Sequence, residues 1–189
     1  MEKKLFSRIL YSVILLASFP VEAHFSLGAY LDSPGRIQVD DSGKTNKTDI
    51  TPFIAANIYL HIYESFWFQP EIGYIFSQTS EGETKNRKFY NLYYAAYQVI
   101  EPLFLKLGFG FFITEIETPS GEVSLNNGDS YTTFYRPGGK SRSYNSTLSF
   151  GAEYFFSKHM SARFDSHIFA IRNSDARSLS FNLGATYHF

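Results

Sequence analysis

Hydrophobic and polar positions alternate with a period of two residues along most of this chain. In the last eleven residues, Leu179 to Phe189, the odd positions are apolar and the even positions are polar or small. Successive side chains of a β-strand point to opposite faces, so this segment has one apolar and one polar face. Such a split is typical of a strand that lies between an apolar and a polar environment.

Eight segments with this alternation are bounded by clusters of Gly, Pro, Asn, Asp and Ser. The predicted strands are 24–33, 50–61, 66–78, 88–99, 103–115, 141–156, 161–171 and 178–189. The fifth is the clearest, because every odd position from Leu103 to Ile113 is apolar. The register of 88–99 stays open, because tyrosines occur on both of its faces.

The lengths of the connections indicate a topology. Short connections at 62–65, 100–102 and 157–160 alternate with longer ones at 34–49, 79–87, 116–140 and 172–177. Outer-membrane barrels have short periplasmic turns, long outward loops and an even number of strands. The sequence therefore predicts an all-β fold, an eight-stranded antiparallel up-and-down transmembrane β-barrel.

The alternative is a soluble periplasmic barrel or sandwich, whose apolar face would point inward. The strand glycines decide against it, because they fall on the polar face. They are Gly28, Gly73, Gly108, Gly110, Gly151 and Gly184. Crowded barrel interiors favour small residues, so we expect the polar face to line the lumen and the apolar face to meet lipid.

The amino-terminal residues have the pattern of a secretory signal peptide. Lys3, Lys4 and Arg8 precede an apolar run from Ile9 to Phe19, and Val21-Glu22-Ala23 offers a cleavage site. A membrane anchor is the alternative, but the run has about half of the ~20 residues that a spanning helix needs. A lipoprotein would need a cysteine, and the chain has none. We predict a signal peptide at 1–23, a barrel domain at 24–189 and a location in the bacterial outer membrane.

Composition supports this interpretation. The formal net charge is −1, which gives no indication of nucleic-acid binding. Aromatic residues make up 19% of the chain, which fits girdles of rings at both membrane interfaces. Mean hydropathy is slightly negative, as expected when only alternate residues contact lipid.

The whole of 24–189 resembles the small outer-membrane β-barrel family of the OmpA transmembrane domain and OmpX. The resemblance rests on the leader, the alternation, the rhythm of the loops and Phe189. It implies a monomer in contact with outer-membrane lipid and lipopolysaccharide. It also implies an insertion signal that the barrel insertion machinery reads, formed by Phe181, Leu183, Tyr187 and Phe189. Because this fold serves adhesins, enzymes and anchors alike, the resemblance does not identify an activity. We expect a non-catalytic structural or surface-interaction role.

Seven ionisable residues fall on the predicted luminal face. They are Glu71, Lys106, Glu153, Arg163, Asp165, His167 and His188. Buried charges are tolerated when they are paired and hydrogen-bonded, so we expect a structural network of ion pairs that fills the barrel. The alternative is a proton or ion path, which would make the protein a narrow pore. His167 and His188 could face each other, although a carboxylate partner is more common for a luminal histidine.

A lipid A acyl hydrolase is the enzyme to consider, because some eight-stranded outer-membrane barrels have that activity. A member that resembles that family would have a His and a Ser two residues apart on the penultimate strand, facing the bilayer, with a Glu beside them. Here Ser166 and His167 are adjacent and point to opposite faces. We therefore expect no catalytic site. Scattered histidines and irregularly spaced loop carboxylates give no metal or cofactor site.

The third outward connection, 116–140, is the most plausible place for a specific function, because function concentrates in loops held by rigid scaffolds. It is the longest connection and contains Tyr131, Phe134 and Tyr135. It could extend the flanking strands as a protruding hairpin, or it could bind a surface partner. The alternative is a solvated loop.

The first prediction is that cleavage follows Ala23. Mass spectrometry of the mature protein is expected to find His24 as its first residue, because the apolar run and the small residue at position 23 match what signal peptidase requires. A mature chain that starts well away from His24 would contradict this assignment.

Overall fold

The computed structural model describes residues 21–32, 50–79, 85–126, 131–171 and 177–189. Ten strands lie in these ranges. They are β1 (Val21–Leu31), β2 (Ile50–Tyr63), β3 (Phe66–Thr79), β4 (Lys85–Ile100), β5 (Leu103–Thr118), β6 (Gly121–Asn126), β7 (Tyr131–Arg136), β8 (Gly139–Phe155), β9 (Met160–Phe169) and β10 (Ser178–His188). In the described part of the chain, no helix is long and apolar enough to cross a membrane.

Eight of these strands form a closed antiparallel barrel in the order β1-β2-β3-β4-β5-β8-β9-β10, and β10 pairs with β1 to complete the ring. This confirms the predicted eight-stranded barrel. Closure removes the sheet edges, which lipid could not hydrogen-bond. The two remaining strands, β6 and β7, pair with each other as a hairpin between β5 and β8.

Apart from β4, whose register the sequence left open, the inward and outward faces of the barrel strands follow the predicted alternation. On β5 the odd residues are outward, and Phe109 is 66% exposed, whereas Lys106 and Phe112 are buried. The apolar outward stretch from Leu103 to Ile113 is eleven residues long. A tilted strand needs about 9–11 residues to cross the hydrocarbon core, so this stretch matches a bilayer.

Close contacts between aromatic rings and glycines explain the register of β4, which the sequence left open. Tyr90 and Tyr94 point inward and are fully buried, and Tyr93 points outward. A Cβ on Gly108 would lie 3.0 Å from Cγ of Tyr94, and one on Gly73 would overlap the ring of Tyr90. The two rings therefore fit into the lumen because the facing positions carry no side chain.

At the end of the barrel with the long connections, β4, β5 and β8 extend further than predicted. β4 begins at Lys85 rather than at 88, β5 ends at Thr118 rather than at 115, and β8 begins at Gly139 rather than at 141. β4 and β8 continue to pair with β5 beyond Ile113. There the outward residues are charged, so hydrophobic alternation fades although the backbone ladder continues.

At the amino terminus, β1 begins at Val21 and includes the predicted cleavage site after Ala23. Residues 1–20 lie outside the described residues. The signal peptide at 1–23 therefore stays a prediction.

The second prediction concerns the outward face of β5. Replacing Leu107 or Phe109 with Arg is expected to lower the free energy of unfolding from lipid by about 2–4 kcal/mol, because the charge would lie near the bilayer midplane. Urea titration in lipid vesicles measures this. Arg at Tyr135, which is exposed on β7, is the control and is expected to change little. Unchanged folding of both β5 variants would contradict the register.

Candidate functional site

The guanidinium group of Arg163 joins opposite walls of the barrel. Arg163 lies on β9 and Glu71 on β3, four strands away in the closed ring. Nη1 and Nη2 of Arg163 bind Oε2 and Oε1 of Glu71 at 2.6 and 2.9 Å. Both side chains are fully buried. This is a bidentate arginine–carboxylate pair, the strongest common geometry for such contacts.

Two further carboxylates and one lysine extend the pair into a network. Nη2 of Arg163 lies 2.6 Å from Oδ2 of Asp165, whose Oδ1 lies 3.1 Å from Nζ of Lys106. Nζ of Lys106 also lies 3.4 Å from Glu153. Two permanent cations thus serve three buried carboxylates, and the remaining acceptor sites need neutral donors.

Hydroxyl and amide groups supply those donors. Asn57 and Tyr90 each donate to Glu71 at 3.1 Å. Ser161 donates to Oε1 of Glu153 at 2.5 Å, and the hydroxyl of Tyr59 donates to Oε2. Tyr59 lies on β2 and Glu153 on β8, so this is a second bond between opposite walls.

The two predicted luminal histidines are buried but do not face each other. His167 is opposite Ser180 in the β9–β10 register, and its Nδ1 lies 3.0 Å from Oγ of Ser149 on β8. His188 is near the end of the barrel with the short connections, where its Nε2 lies 2.8 Å from Oγ of Ser161. Its Nδ1 lies 2.6 Å from Nδ1 of His24. Ser180, the partner of His167, is eight residues before His188 on β10, so the two histidines lie at different levels of the barrel.

All seven residues predicted for the lumen are therefore buried there, and the structure adds partners that sequence reasoning did not assign. The added partners are His24, Ser26, Asn57, Tyr59, Tyr90, Tyr94, Ser149 and Ser161. Alternation places these residues on inward faces, except for Tyr90 and Tyr94 on β4, whose register it left open. Some of the contacts join residues that are directly opposite on neighbouring strands, as Asn57 with Glu71 and Ser149 with His167. The contact of Tyr59 with Glu153 crosses the barrel, so alternation alone could not predict it.

Aromatic rings close the lumen on both sides of the network. At the end of the barrel with the short connections, the ring of Trp67 lies 6.2 Å from that of Tyr59 and 6.4 Å from that of Phe104, both edge to face. At the end with the long connections, the ring of Phe112 lies 4.7 Å from that of Phe169 and 4.9 Å from that of Tyr90. The charges are therefore enclosed between two aromatic layers.

A further ion pair lies outward of the second layer. Lys88 pairs with Asp32, donates to the hydroxyl of Tyr30 at 3.2 Å and lies 4.7 Å from the centre of the Tyr30 ring. These contacts connect β4 with β1 across the outer mouth. They add a polar cap above the aromatic layer.

The contact between Ser149 and His167 is the arrangement that most resembles a catalytic pair. Both side chains have no solvent exposure, and the Oγ of Ser149 is also bonded to Tyr94 at 2.9 Å. Ser166 lies on the outward face of β9, away from His167. Among the described residues, no group of three or more His, Cys, Asp or Glu side chains is placed to hold a metal ion.

The predicted loop at 116–140 contains an ordered extension. β5 continues to Thr118 and β8 starts at Gly139, with the β6–β7 hairpin between them. Tyr131 and Tyr135 on β7 are 74% and 68% exposed. The hairpin thus presents aromatic side chains to the solvent.

Comparison with known proteins shows the fold. The crystal structure of Ail, the attachment invasion locus protein of Yersinia pestis, is similar with a TM-score of 0.59 at 10% identity, over 89% of this chain and 98% of that one. The structure of Ail in a phospholipid bilayer nanodisc gives 0.52 at 12% identity, over 90% and 100%. Neisserial surface protein A gives 0.50 at 10% identity, over 89% and 95%.

These structures are of two small outer-membrane β-barrels, and this chain has their fold. No protein-family model matches the sequence. No curated protein matches it either.

The third prediction concerns the centre of the network. Arg163→Ala is expected to lower the unfolding free energy by about 3–5 kcal/mol, because it leaves Glu71 and Asp165 as buried carboxylates without their main cation. Denaturant titration in vesicles measures the loss. Arg177→Ala, at an exposed residue, is the control and is expected to cost under ~1 kcal/mol.

A double variant separates charge imbalance from lost packing. If unpaired charge causes the loss, Arg163→Ala combined with Glu71→Gln is expected to be more stable than Arg163→Ala alone. Equal loss in the single and double variants would contradict the electrostatic origin.

Proposed function

We propose that this protein is a non-catalytic, integral protein of the bacterial outer membrane with a structural or surface-interaction role. The observation that supports it is the closed lumen. Arg163 bonds to the opposite wall inside a network sealed by two aromatic layers. The interior thus stabilises the barrel, which leaves the outer surfaces for function.

A pore would need a continuous polar path. The interior of an eight-stranded barrel is just wide enough for side chains. Here Arg163 and Glu71 meet across the lumen, and an ion would have to break their two bonds to pass. The network therefore favours the structural interpretation over a conducting one.

A lipid A acyl hydrolase would need a nucleophile and a base together on the bilayer face. On β9, Ser166 faces outward and His167 faces the lumen, so the two groups do not meet. The buried Ser149–His167 contact is enclosed by side chains and offers no access to an acyl chain. Both arrangements support a protein without catalysis.

The β6–β7 hairpin is the element that we assign to surface interaction. Tyr131, Phe134 and Tyr135 are exposed on it, and aromatic residues are enriched at protein interfaces. Two barrels with this fold are described as an attachment protein and a surface protein. We extend a surface role to this chain as a proposal.

Export and assembly complete the proposal. The chain is secreted through the predicted signal peptide at 1–23. The barrel insertion machinery recognises the end of the chain through Phe181, Leu183, Tyr187 and Phe189. Of these, Leu183 and Tyr187 on β10 and Phe189 after it are exposed. The protein then functions as a monomer, since the closed barrel leaves no strand edge that needs a second subunit.

The fourth prediction is that the purified protein does not form stable channels. Planar-bilayer recordings are expected to show no porin-like conductance, because the ion pairs and aromatic layers fill the lumen. Stable channels would overturn the closed lumen and favour the pore.

Incubation with labelled lipopolysaccharide tests the enzyme alternative. Release of fatty acid would favour the lipid A acyl hydrolase over a protein without catalysis.

Localisation is tested separately. Membrane fractionation with heat-modifiable gel migration is expected to place a folded barrel in the outer-membrane fraction. A variant in which a short Gly-Ser turn replaces residues 121–136 is expected to show the same shift on heating, because the β6–β7 hairpin forms its own two-stranded sheet. Loss of folding in that variant would show that the hairpin is structural.

A further inference from the structure

The outward faces of β4, β5 and β8 change from apolar to charged at one level. The last apolar row across the three strands is Phe89, Ile113 and Tyr144. Two rows follow, each with a glutamate between two basic residues. The inner row is Arg87, Glu115 and Arg142, and the outer row is Lys85, Glu117 and Lys140. We call these six residues the charged rows.

Ion pairs order the charged rows without neutralising them. Nη2 of Arg142 lies 2.8 Å from Glu115, and Nη2 of Arg87 lies 3.1 Å from Glu117. Nζ of Lys140 lies 3.4 Å from Glu117. The hydrogen bond from Arg142 holds the pKa of Glu115 below its usual range, so Glu115 is anionic at neutral pH. Four cations and two anions leave a net charge of +2.

The charged rows lie where the bilayer ends. The apolar stretch from Leu103 to Ile113 matches one crossing of the hydrocarbon core, and Glu115 follows two residues later, about 7 Å along the strand. Phe89 and Tyr144 mark the boundary as aromatic girdle residues do. The longer loops are at this end, which is the outer one.

The orientation of the charged rows favours a lipid headgroup as their partner. The charged rows occupy the same outer wall of the barrel as the lipid-facing residues Phe109 and Leu107, so they face sideways into the headgroup layer. The cations are accessible, since the side chains of Lys140 and Arg142 are 64% and 57% exposed. A neighbouring lipid headgroup is therefore in reach of them.

We propose that the charged rows bind phosphate groups of lipopolysaccharide in the outer leaflet. Arginine and lysine donate charge-assisted hydrogen bonds to phosphate oxygens, and the glutamates hold the basic side chains in place. A net cationic patch at a membrane surface attracts anionic headgroups. The proposal rests on the outer-membrane location proposed above, but binding in micelles can be measured without it.

The experiment measures the affinity of the protein in zwitterionic detergent micelles for fluorescent lipopolysaccharide. Lys140→Gln is expected to weaken binding about fivefold, and Lys85→Gln with Lys140→Gln about 25-fold. Glu117→Gln is expected to tighten binding, because it removes a negative charge from the same patch. Lys158→Gln, at an exposed residue of a periplasmic turn, has the same charge change as Lys140→Gln and is expected to have no effect.

Three results would overturn the proposal. The first is equal binding of dephosphorylated lipopolysaccharide by the unaltered protein. The second is equal weakening by Lys140→Gln and Lys158→Gln. The third is lysine-dependent binding of a soluble sulfated polysaccharide without binding of lipopolysaccharide, which would assign the rows to a soluble polyanion.

Folding and location are read independently of binding. Heat-modifiable migration of each variant shows whether the barrel is intact. Lys140→Arg, unlike Lys140→Gln, is expected to bind as tightly as the unaltered protein, because it keeps the positive charge. If fractionation fails to find the protein in the outer membrane while phosphate-dependent binding persists in micelles, the proposed location fails and the binding site stands. If location holds and binding is absent, the binding site fails.

Discussion

The structure depends on one requirement, which is that every charge inside the barrel has a partner. Arg163 meets it by bonding to Glu71 on the opposite wall and to Asp165 on its own strand. These bonds need β3 and β9 to place polar side chains at the same level on opposite sides of a closed ring. Buried ion pairs of this kind add little net stability but are costly to break, so they favour one arrangement of strands over shifted ones.

Aromatic rings and glycines determine how that network is enclosed. Tyr90 and Tyr94 can lie across the lumen because Gly73 and Gly108 leave room for them. Tyr90 then serves two purposes, since its ring stacks on Phe112 and its hydroxyl donates to Glu71. A single residue thus links the aromatic layer to the charge network. An interior filled in this way is consistent with the structural role proposed above.

Alternation was sufficient to predict the strands and their faces, because lipid and lumen impose opposite demands on neighbouring residues. It was insufficient for β4, where Tyr occurs on both faces and only contact with glycines selects Tyr90 and Tyr94 for the interior. It also placed the seven luminal ionisable residues but not their partners. Contacts such as Tyr59 with Glu153 join strands far apart in sequence, and they depend on the stagger of the closed barrel.

Charge at the outer ends of β4, β5 and β8 follows from the same reasoning applied to the exterior. A backbone ladder can continue beyond the bilayer only if its outward side chains suit the new environment, and Arg142 and Glu115 do so by pairing across strands. A row of alternating charges stabilises the extension, since like charges directly opposite each other would destabilise it. The excess of cations in these rows is not needed for that pairing. The stability of the barrel therefore does not explain this excess of positive charge, which is consistent with the headgroup contact proposed above.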